Sequence, residues 1–502
     1  MGVMDKHIVK VTEIFSLDER SLALFRILLG IYLLLDVINR IKLTPAFYSD
    51  SGILPRYMVD LSNFEQMYHF QVMLISGSEW FSYLFFGIAG LISLMLIFGF
   101  KTRVVTFFAW LFYVSMIIRD PLTKHAGDDL YILMLFWGIF LPLGRCFSID
   151  AFKRNYSSRE SKYILSAAGI GLYAQFCLVY IMTGLYKAYH SSWLDGTHLY
   201  ITFSRFDYVE PLAFLIYPHY ELLVFLTHFT LWLELLGPLL LFIPVFFVFF
   251  RMVGIVLFTG LQLTIGLTMD VGLFPLVSIA GLLVFIPREV WEWLFARVKK
   301  RTALRNGYQA SQVFLKQVIK RNMSTIVSYK PFPIFGELVI SLLIGYVILW
   351  NIDGYSHRFN LSQTMKKFGY ALKLDQRWNM FASPALNAKY LTTELEYDDG
   401  TVINLMAPLL KIYSHSHEFH HVGYINYRWR IFFSNRLTRR QYIEYRLYTL
   451  QYLLDMYLDE DAWQENKIPD NVQLIAHQHV IGERYQHSDI EPFILYILYI
   501  NK

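Results

Sequence analysis

Nine stretches of the chain are almost wholly apolar, and a helix needs roughly 17–25 such residues to cross the hydrocarbon core of a bilayer. They fall at about 22–42, 80–99, 103–119, 128–144, 163–186, 221–250, 252–268, 271–287 and 333–351. Gly237-Pro238, inside the sixth, predicts a kink rather than an end, and 241–287 has room for a re-entrant pair. The pattern therefore predicts eight or nine spans. After residue 352 the pattern changes. Charges become frequent and nearly balanced, and short alternating runs replace the long apolar ones. Lys389 to Met406 alternates around Asp398-Asp399-Gly400, which predicts a hairpin. Residues 423–432, 471–482 and 492–501 read as further strands, and Leu437 to Leu458 has helical spacing, with Arg439, Arg440 and Arg446 on its polar face. The fold class is a multi-pass α-helical membrane bundle of eight or nine spans, followed by an extracytoplasmic α+β domain rich in β-strands.

Loop charges orient the bundle. Lys101 and Arg103 fill one short loop, and Arg145, Lys153, Arg154, Arg159 and Lys162 fill another. A third, 288–331, carries Arg297, Lys299, Lys300, Arg301, Arg305, Lys316, Lys320 and Arg321. With nine alternating spans all three lie on one side, which the positive-inside rule makes cytoplasmic, together with the N-terminus. Loops 43–79, 120–127 and 187–220 then face outward with the C-terminal region. The expected division is 1–290 for the bundle, 291–331 for a basic cytoplasmic loop, 332–352 for the last span and 353–502 for the outer domain. The start has no appearance of a cleaved signal, so the first span is expected to act as a signal anchor.

Composition agrees. Of 502 residues 55% are hydrophobic and only 17% charged, against about a quarter charged in soluble proteins. Aromatic residues make up 18%, as suits a long membrane–water interface. The net charge of +5 gathers in one loop and gives no reason to expect nucleic acid. Cys146 and Cys177, the two cysteines, are expected at different depths and unpaired.

Ionisable residues at membrane depth are costly and mark candidate function. Here they are Arg26, Asp36, Arg40, Asp128, Asp129, Lys187, His228, Glu234, Arg251 and Asp270. For Arg26, Asp36 and Glu234 mutual pairing is the better reading, for example Arg26 or Arg40 with Glu234 or Asp36. Lys187 stands out because the uncharged run Tyr163 to Thr183 ends just before it, in Gly184-Leu-Tyr-Lys187, ahead of Trp193-Leu-Asp195-Gly196. A partly desolvated amine there is a candidate base for a lipid-soluble substrate; the bland alternative is a lysine snorkelling to the headgroups. His415, His417, His420 and His421 cluster without a firm ligand set, and no metal is expected. His477 and His479 share one strand face, where solvent exposure is the simpler reading.

Three groups of motifs together resemble one family. They are Phe47-Tyr-Ser-Asp50-Ser-Gly52-Ile-Leu-Pro55-Arg56; Arg119-Asp-Pro121 through Ala126-Gly-Asp128-Asp129 to Leu141-Pro-Leu-Gly144 and Ser148-Ile-Asp150; and Gly184-Leu-Tyr-Lys187 with Trp193-Leu-Asp-Gly196 and Asp270-Val-Gly-Leu-Phe274-Pro275. The set resembles the horizontally transferred transmembrane domain family, whose best-known member is the vitamin K-dependent gamma-carboxylase. It covers roughly 15–290 and extends to Gln376-Arg-Trp378-Asn-Met380-Phe381. The resemblance implies a reduced vitamin K or another isoprenoid hydroquinone, with oxygen and carbon dioxide as co-substrates. A lysine at this place deprotonates the quinol, whose oxidation supplies the base that opens a glutamate of a secreted peptide or protein to carboxylation. On that reading Lys187 is the base, Trp193 a wall or an interfacial anchor, and Asp128, Asp129, Gln262, His228 and Glu234 supporting residues.

The chain also departs from the carboxylase. Gly127 and Asp128 stand where it has an Asn-His pair, and Gln262 where it has a histidine. The cysteine pairing that ties its membrane and outer parts has no counterpart. The alternatives are a non-catalytic membrane protein that binds lipid or quinone and a protein partner, a related enzyme with a different acceptor, and, third, a transporter. The enzymatic reading expects Lys187, Gln262 and Asp128 or Asp129 to converge on one apolar cavity that opens outward.

Overall fold

The computed structural model describes residues 10–59, 71–153, 163–306, 326–328 and 334–499, apart from 206, 357, 385, 398, 414–420, 459–470 and 483–487. Among the described residues the helices of ten or more residues are α1 (Glu19–Ile41), α2 (Glu79–Phe98), α3 (Thr102–Arg119), α4 (Ala126–Ile139), α5 (Ala167–Ala188), α6 (Tyr220–Leu240), α7 (Phe247–Thr268), α8 (Phe274–Leu283), α9 (Arg288–Asn306), α10 (Ile334–Tyr355), α11 (Gln363–Leu372) and α12 (Glu444–Leu458). Each of the nine apolar stretches carries a helix, although 163–165 is a strand and 241–246 a break between α6 and α7. Among the described residues seven helices are long and apolar enough to cross a bilayer on their own, and α8 with α9, bent by 91°, would make an eighth. The chain is a multi-pass integral membrane protein.

The stretch predicted at 128–144 is the 14-residue α4. At 1.5 Å per residue it rises only about 21 Å. It need not match the bilayer, because Leu130 to Gly138 are all buried and neighbouring helices take its place against lipid. Lipid-facing helices carry the opposite signature. Leu222, Phe225, Phe229, Trp232, Leu236 and Leu239 form an exposed apolar stripe on α6 with helical spacing. Pro238 lies two residues before the end of α6 and Phe247 begins α7, so the boundary predicted near 250 falls earlier.

End-to-end contacts show how the helices run. The start of α1 meets the α4–α5 connection through Glu19 and Arg145 at 3.0 Å. Arg26 donates to the carbonyls of Ile97 (3.3 Å), Leu143 (3.1 Å) and Phe147 (2.5 Å), gathering the ends of α2 and α4. Arg251 at the start of α7 donates to Ile14 O (2.6 Å). Strand β2 (Tyr163–Leu165) pairs antiparallel with β1 (Leu17–Asp18) and parallel with β3 (Ile326–Ser328). The N-terminal segment and the flanks of all three basic loops thus share one face. Of the loops' charges, Arg154, Arg159, Lys162, Lys316, Lys320 and Arg321 lie outside the described residues.

On the opposite face the C-terminal region docks. Its main sheet has the order β5-β4-β8-β9, built from β4 (Asn387–Glu396), β5 (Val402–Asn404), β8 (Asn471–Val480) and β9 (Glu491–Tyr499). The hairpin forms as expected, Glu396 pairing with Val402 around Gly400 at φ +78°; Asp398 lies outside the described residues. The strands predicted at 471–482 and 492–501 are β8 and β9. The strand predicted at 423–432 is not there. β7 (His421–Tyr424), paired with β6 (Leu410–Tyr413), stops early. Asn426 then caps a helix, Tyr427–Arg430, that continues as a π-helical turn over Ile431–Leu437. Alternation failed there because Tyr427 to Ser434 are buried on every side, a burial no two-faced strand offers. The helix predicted over Leu437–Leu458 starts at Glu444, and Arg446 is buried, donating to Leu437 O (3.1 Å) and Leu495 O (3.0 Å).

Candidate functional site

Lys187 lies on the last turn of α5 and is 2% exposed. Its Nζ donates to Glu234 Oε1 of α6 at 2.6 Å. Two helices carry charge to one buried point because Gly184 lets them approach. A Cβ there would stand 2.9 Å from the Leu235 side chain and 3.2 Å from Leu235 N. Above the amine, Nζ sits 4.4 Å from the Trp193 ring and 6.0 Å from the Phe381 ring. Trp193 is fixed twice, donating Nε1–H to Phe381 O (2.9 Å) and stacking on His198 at 4.2 Å. His198 in turn pairs its Nδ1 with Ser192 Oγ (3.0 Å). An ammonium between a carboxylate and two aromatic faces is held by charge and by ring quadrupole together.

Phe381 reaches this point from the far end of the chain. Gln376 anchors its loop, accepting at Oε1 from Gln175 (2.7 Å) and Trp378 (2.6 Å) and at its carbonyl from Trp350 (3.1 Å). Phe381 itself has φ +55°, a left-handed backbone unusual for a non-glycine residue. Deeper in the bundle Gln262 of α7 donates to Tyr180 OH (3.0 Å), and that hydroxyl lies within electrostatic range of Glu234. Among the described residues Glu234 Oε2 and Gln262 Oε1 are buried without a hydrogen-bond partner.

Asp128 belongs elsewhere. It forms a buried quartet with Asp36, Arg40 and Arg428. Arg40 reaches Asp36 (2.6 Å) and Asp128 (3.2 Å), and Arg428 reaches Asp36 (2.5 Å) and Asp128 (3.1 Å). Tyr113 and Tyr427 donate to Asp128 (2.6 Å) and Asp36 (3.2 Å). Arg40 therefore pairs with Asp36 as expected, Glu234 pairs with a lysine, and Arg26 takes carbonyls. Asp129 pairs with Lys124 (2.7 Å). His228 meets Leu194 O (3.1 Å) and packs below Gly196, bracing the loop that presents Trp193. The expected convergence is thus partial. Glu234 and Trp193 meet Lys187, Gln262 approaches through Tyr180, and Asp128, Asp129 and His228 do not join them.

A cleft of about 440 Å³ lies between the two centres. His125 and Gly127 line it on the side of the quartet, and His198 and Phe381 on the side of Lys187. Lys124, Arg205, Arg430, Arg436 and Arg439 also line it, and no carboxylate does among the described residues. Arg205 and Arg430 lean on Asp207 (2.9 Å) and Asp270 (3.0 Å). Burial pushes His125 down to about 4 and His198 down to about 3, the latter helped by the nearby Lys187 charge, so both imidazoles are neutral at pH 7. Gly127 has a steric reason to be glycine, since a Cβ would stand 2.5 Å from the His125 ring and 3.2 Å from Phe274 Cα.

Among the described residues no group of three metal-ligating side chains occurs, and His415, His417 and His420 lie outside them. His477 stacks on Tyr390 (4.5 Å) and meets Thr392 Oγ1 (2.8 Å), so it is half-buried rather than solvated. Cys146 and Cys177 are free.

The HTTM domain model matches residues 16–291, more than half of the chain. The chain belongs to the HTTM domain family. Lys187, Glu234, Trp193 and the quartet's Asp36, Arg40 and Asp128 all fall inside the HTTM domain, whereas Phe381 and Arg428 come from outside it. No curated protein and no solved structure matches the chain. The residues missed in the sequence were Tyr180, His125, His198, Phe381 and Arg428. Only Phe381 had carried a signal, as the last residue of the Gln376–Phe381 motif.

Proposed function

We propose that this HTTM domain protein is a membrane enzyme in which Lys187 takes a proton from a reduced isoprenoid quinone such as reduced vitamin K. The observation that carries the proposal is the amine of Lys187, buried against Glu234 and roofed by two aromatic rings beside a basic cleft. The residues suit such a ligand. Apolar helices surround the site for a prenyl tail, and Glu234 Oε2 is left without a partner near the amine. Bound there, the quinol would supply the electrons that oxygen accepts and, through its oxidation, a base for carboxylating a glutamate of a secreted peptide. Lys187 and Glu234 share one proton at rest. When that proton rests on Glu234, the lysine nitrogen has a free lone pair and can accept a phenolic proton. The pair then holds two protons and a net positive charge beside the phenolate, a charge that the low-dielectric surroundings make effective. Glu234 acts as the positioning residue, and Trp193 and Phe381 exclude water. The face with the basic loops is cytoplasmic on this reading, and the cleft is extracytoplasmic.

The test uses purified protein in nanodiscs with reduced vitamin K and labelled carbon dioxide. Epoxide formation and label in glutamate peptides are followed together. Lys187→Ala should lose about 10²–10⁴-fold of epoxide formation, the usual worth of a positioned base. That substitution strands the Glu234 carboxylate, so Lys187→Ala/Glu234→Gln, which removes the stranded charge, should be equally inactive and normally folded. Epoxide that survives both would remove Lys187 from the mechanism. A second reading, a non-catalytic binder of lipid or quinone and a partner, draws on the closed, fully paired state of Lys187. No turnover by wild type, with saturable quinone binding, would favour it.

A further inference from the structure

Lys187 and the cleft do not touch. The amine is 2% exposed, while the cleft holds water-accessible cations and is open at its mouth. Phe381 is the side chain that belongs to both places: it lines the cleft, and its ring is the second aromatic face over Nζ, at 6.0 Å. The other ring, Trp193, has its own cover in His198. Phe381 is also the residue in the roof with a left-handed backbone, φ +55°, held there by the Trp193 Nε1–H bond to its carbonyl (2.9 Å) and by edge contact with Tyr208 at 6.1 Å. Non-glycine residues adopt this conformation where the surroundings impose it, and such strain gathers at switching positions. Phe381 also packs against the small apolar cluster of Tyr200, Phe203, Val209 and Met269, so opening exchanges those contacts as well as the hydrogen bond for a relaxed backbone.

We propose that Phe381 is the gate between the basic cleft and Lys187, closing the amine from water at rest and opening a path to it when a carboxylate-bearing reactant occupies the cleft. Lys124, Arg205 and Arg430 are paired with Asp129, Asp207 and Asp270, so Arg436 and Arg439 are the cations that favour an anionic occupant, and the gate keeps bulk water from adding a second proton to the Lys187–Glu234 pair before that occupant arrives. The proposal rests on Lys187 being the working amine. Phe381 is a positioning residue in it, since it acts on access alone.

The experiment reads access rather than turnover. The full chain in nanodiscs is treated with a small water-soluble acylating reagent, and the rates at Lys187 and Lys124 are followed by peptide mass spectrometry. Lys124 lines the cleft and serves as the internal standard. A gate open in a small fraction of molecules should leave Lys187 about tenfold slower than Lys124 in wild type, and Phe381→Ala should remove most of that difference. Phe381→Leu, which keeps apolar bulk, should stay near wild type. Phe381→Gly suits the left-handed backbone and should open the gate without loss of fold. Lys124 should react alike in all four. Wild-type acylation of Lys187 as fast as Lys124, or an unchanged rate in Phe381→Ala and Phe381→Gly, would overturn the gate. Gated acylation without quinone epoxidation would retire the enzymatic reading and leave the gate standing. Epoxidation with ungated acylation would do the reverse.

Discussion

The buried pair at the centre of the bundle shows how much a single contact depends on its surroundings. Lys187 and Glu234 meet at 2.6 Å with both side chains nearly inaccessible. Desolvating both groups costs about what their attraction returns, so the pair is weak evidence for stability and stronger evidence for a use. Its two residues were legible in sequence because charge at membrane depth is rare. Phe381 closed a recognised motif but gave no sign of standing at this site, because a phenylalanine carries no charge and lies 188 residues from the indole it binds. The two histidines of the cleft give a pH prediction. Burial holds His125 at about 4 and His198 at about 3 in the folded chain, against 6.5 unfolded. The unfolded state therefore binds more protons below 6.5, and this contribution to stability is complete above that pH and lost as pH falls toward 4 and 3. Thermal midpoints from pH 7.5 to 4.5 should fall more steeply in wild type than in His125→Asn/His198→Asn. Parallel curves would show that the imidazoles are not buried neutral.

Among the elements, helix character followed directly from apolar length, but which helices face lipid did not. The runs that became α4 and α6 look alike in sequence. α4 is enclosed by its neighbours, while α6 turns a full stripe outward. Short α4 is stable because protein, not lipid, surrounds it. The contact of α5 with α6 depends on Gly184, whose missing Cβ admits Leu235. Gly184→Val should cost about 1–3 kcal/mol through overpacking. It should also part Lys187 from Glu234, which neighbours Leu235 on α6. A lowered thermal midpoint together with faster acylation of Lys187 would register both effects. An unchanged midpoint would mean that the helices have room to spare. The misread segment 423–432 makes the converse point. Alternation predicts a strand only where one face is wet, and this segment is wedged between the bundle and the sheet.

Across the whole molecule, Arg428 joins the C-terminal region to the bundle. It meets two buried aspartates from α1 and α4 and also donates to Thr123 O at 3.2 Å. Where the carboxylase ties its two parts with cysteines, this chain uses a neutral quartet of two arginines and two aspartates. Arg428→Ala would leave the Asp36 and Asp128 carboxylates sharing one arginine, and breaking a buried pair in this way costs about 3–5 kcal/mol. Hydrogen exchange across Tyr427–Leu437 should accelerate strongly, while the middle of α2 stays protected. Exchange that rises equally everywhere would mean that the quartet supports the whole bundle rather than the docking. Arg428→Lys should recover only part, since one ammonium cannot reproduce the forked contacts of a guanidinium. By itself the sequence determined the membrane class, the nine helical runs, the shared face of the basic loops, the hairpin and the candidacy of Lys187. Each of these follows from local composition, periodicity or the cost of burying charge. Only the tertiary structure decided that Glu234 partners with Lys187 rather than with an arginine, that Asp128 locks the C-terminal region and not the lysine site, and that Phe381 stands over the amine. Those choices depend on which surfaces pack together, and contacts between residues hundreds of positions apart leave no periodic trace along the chain.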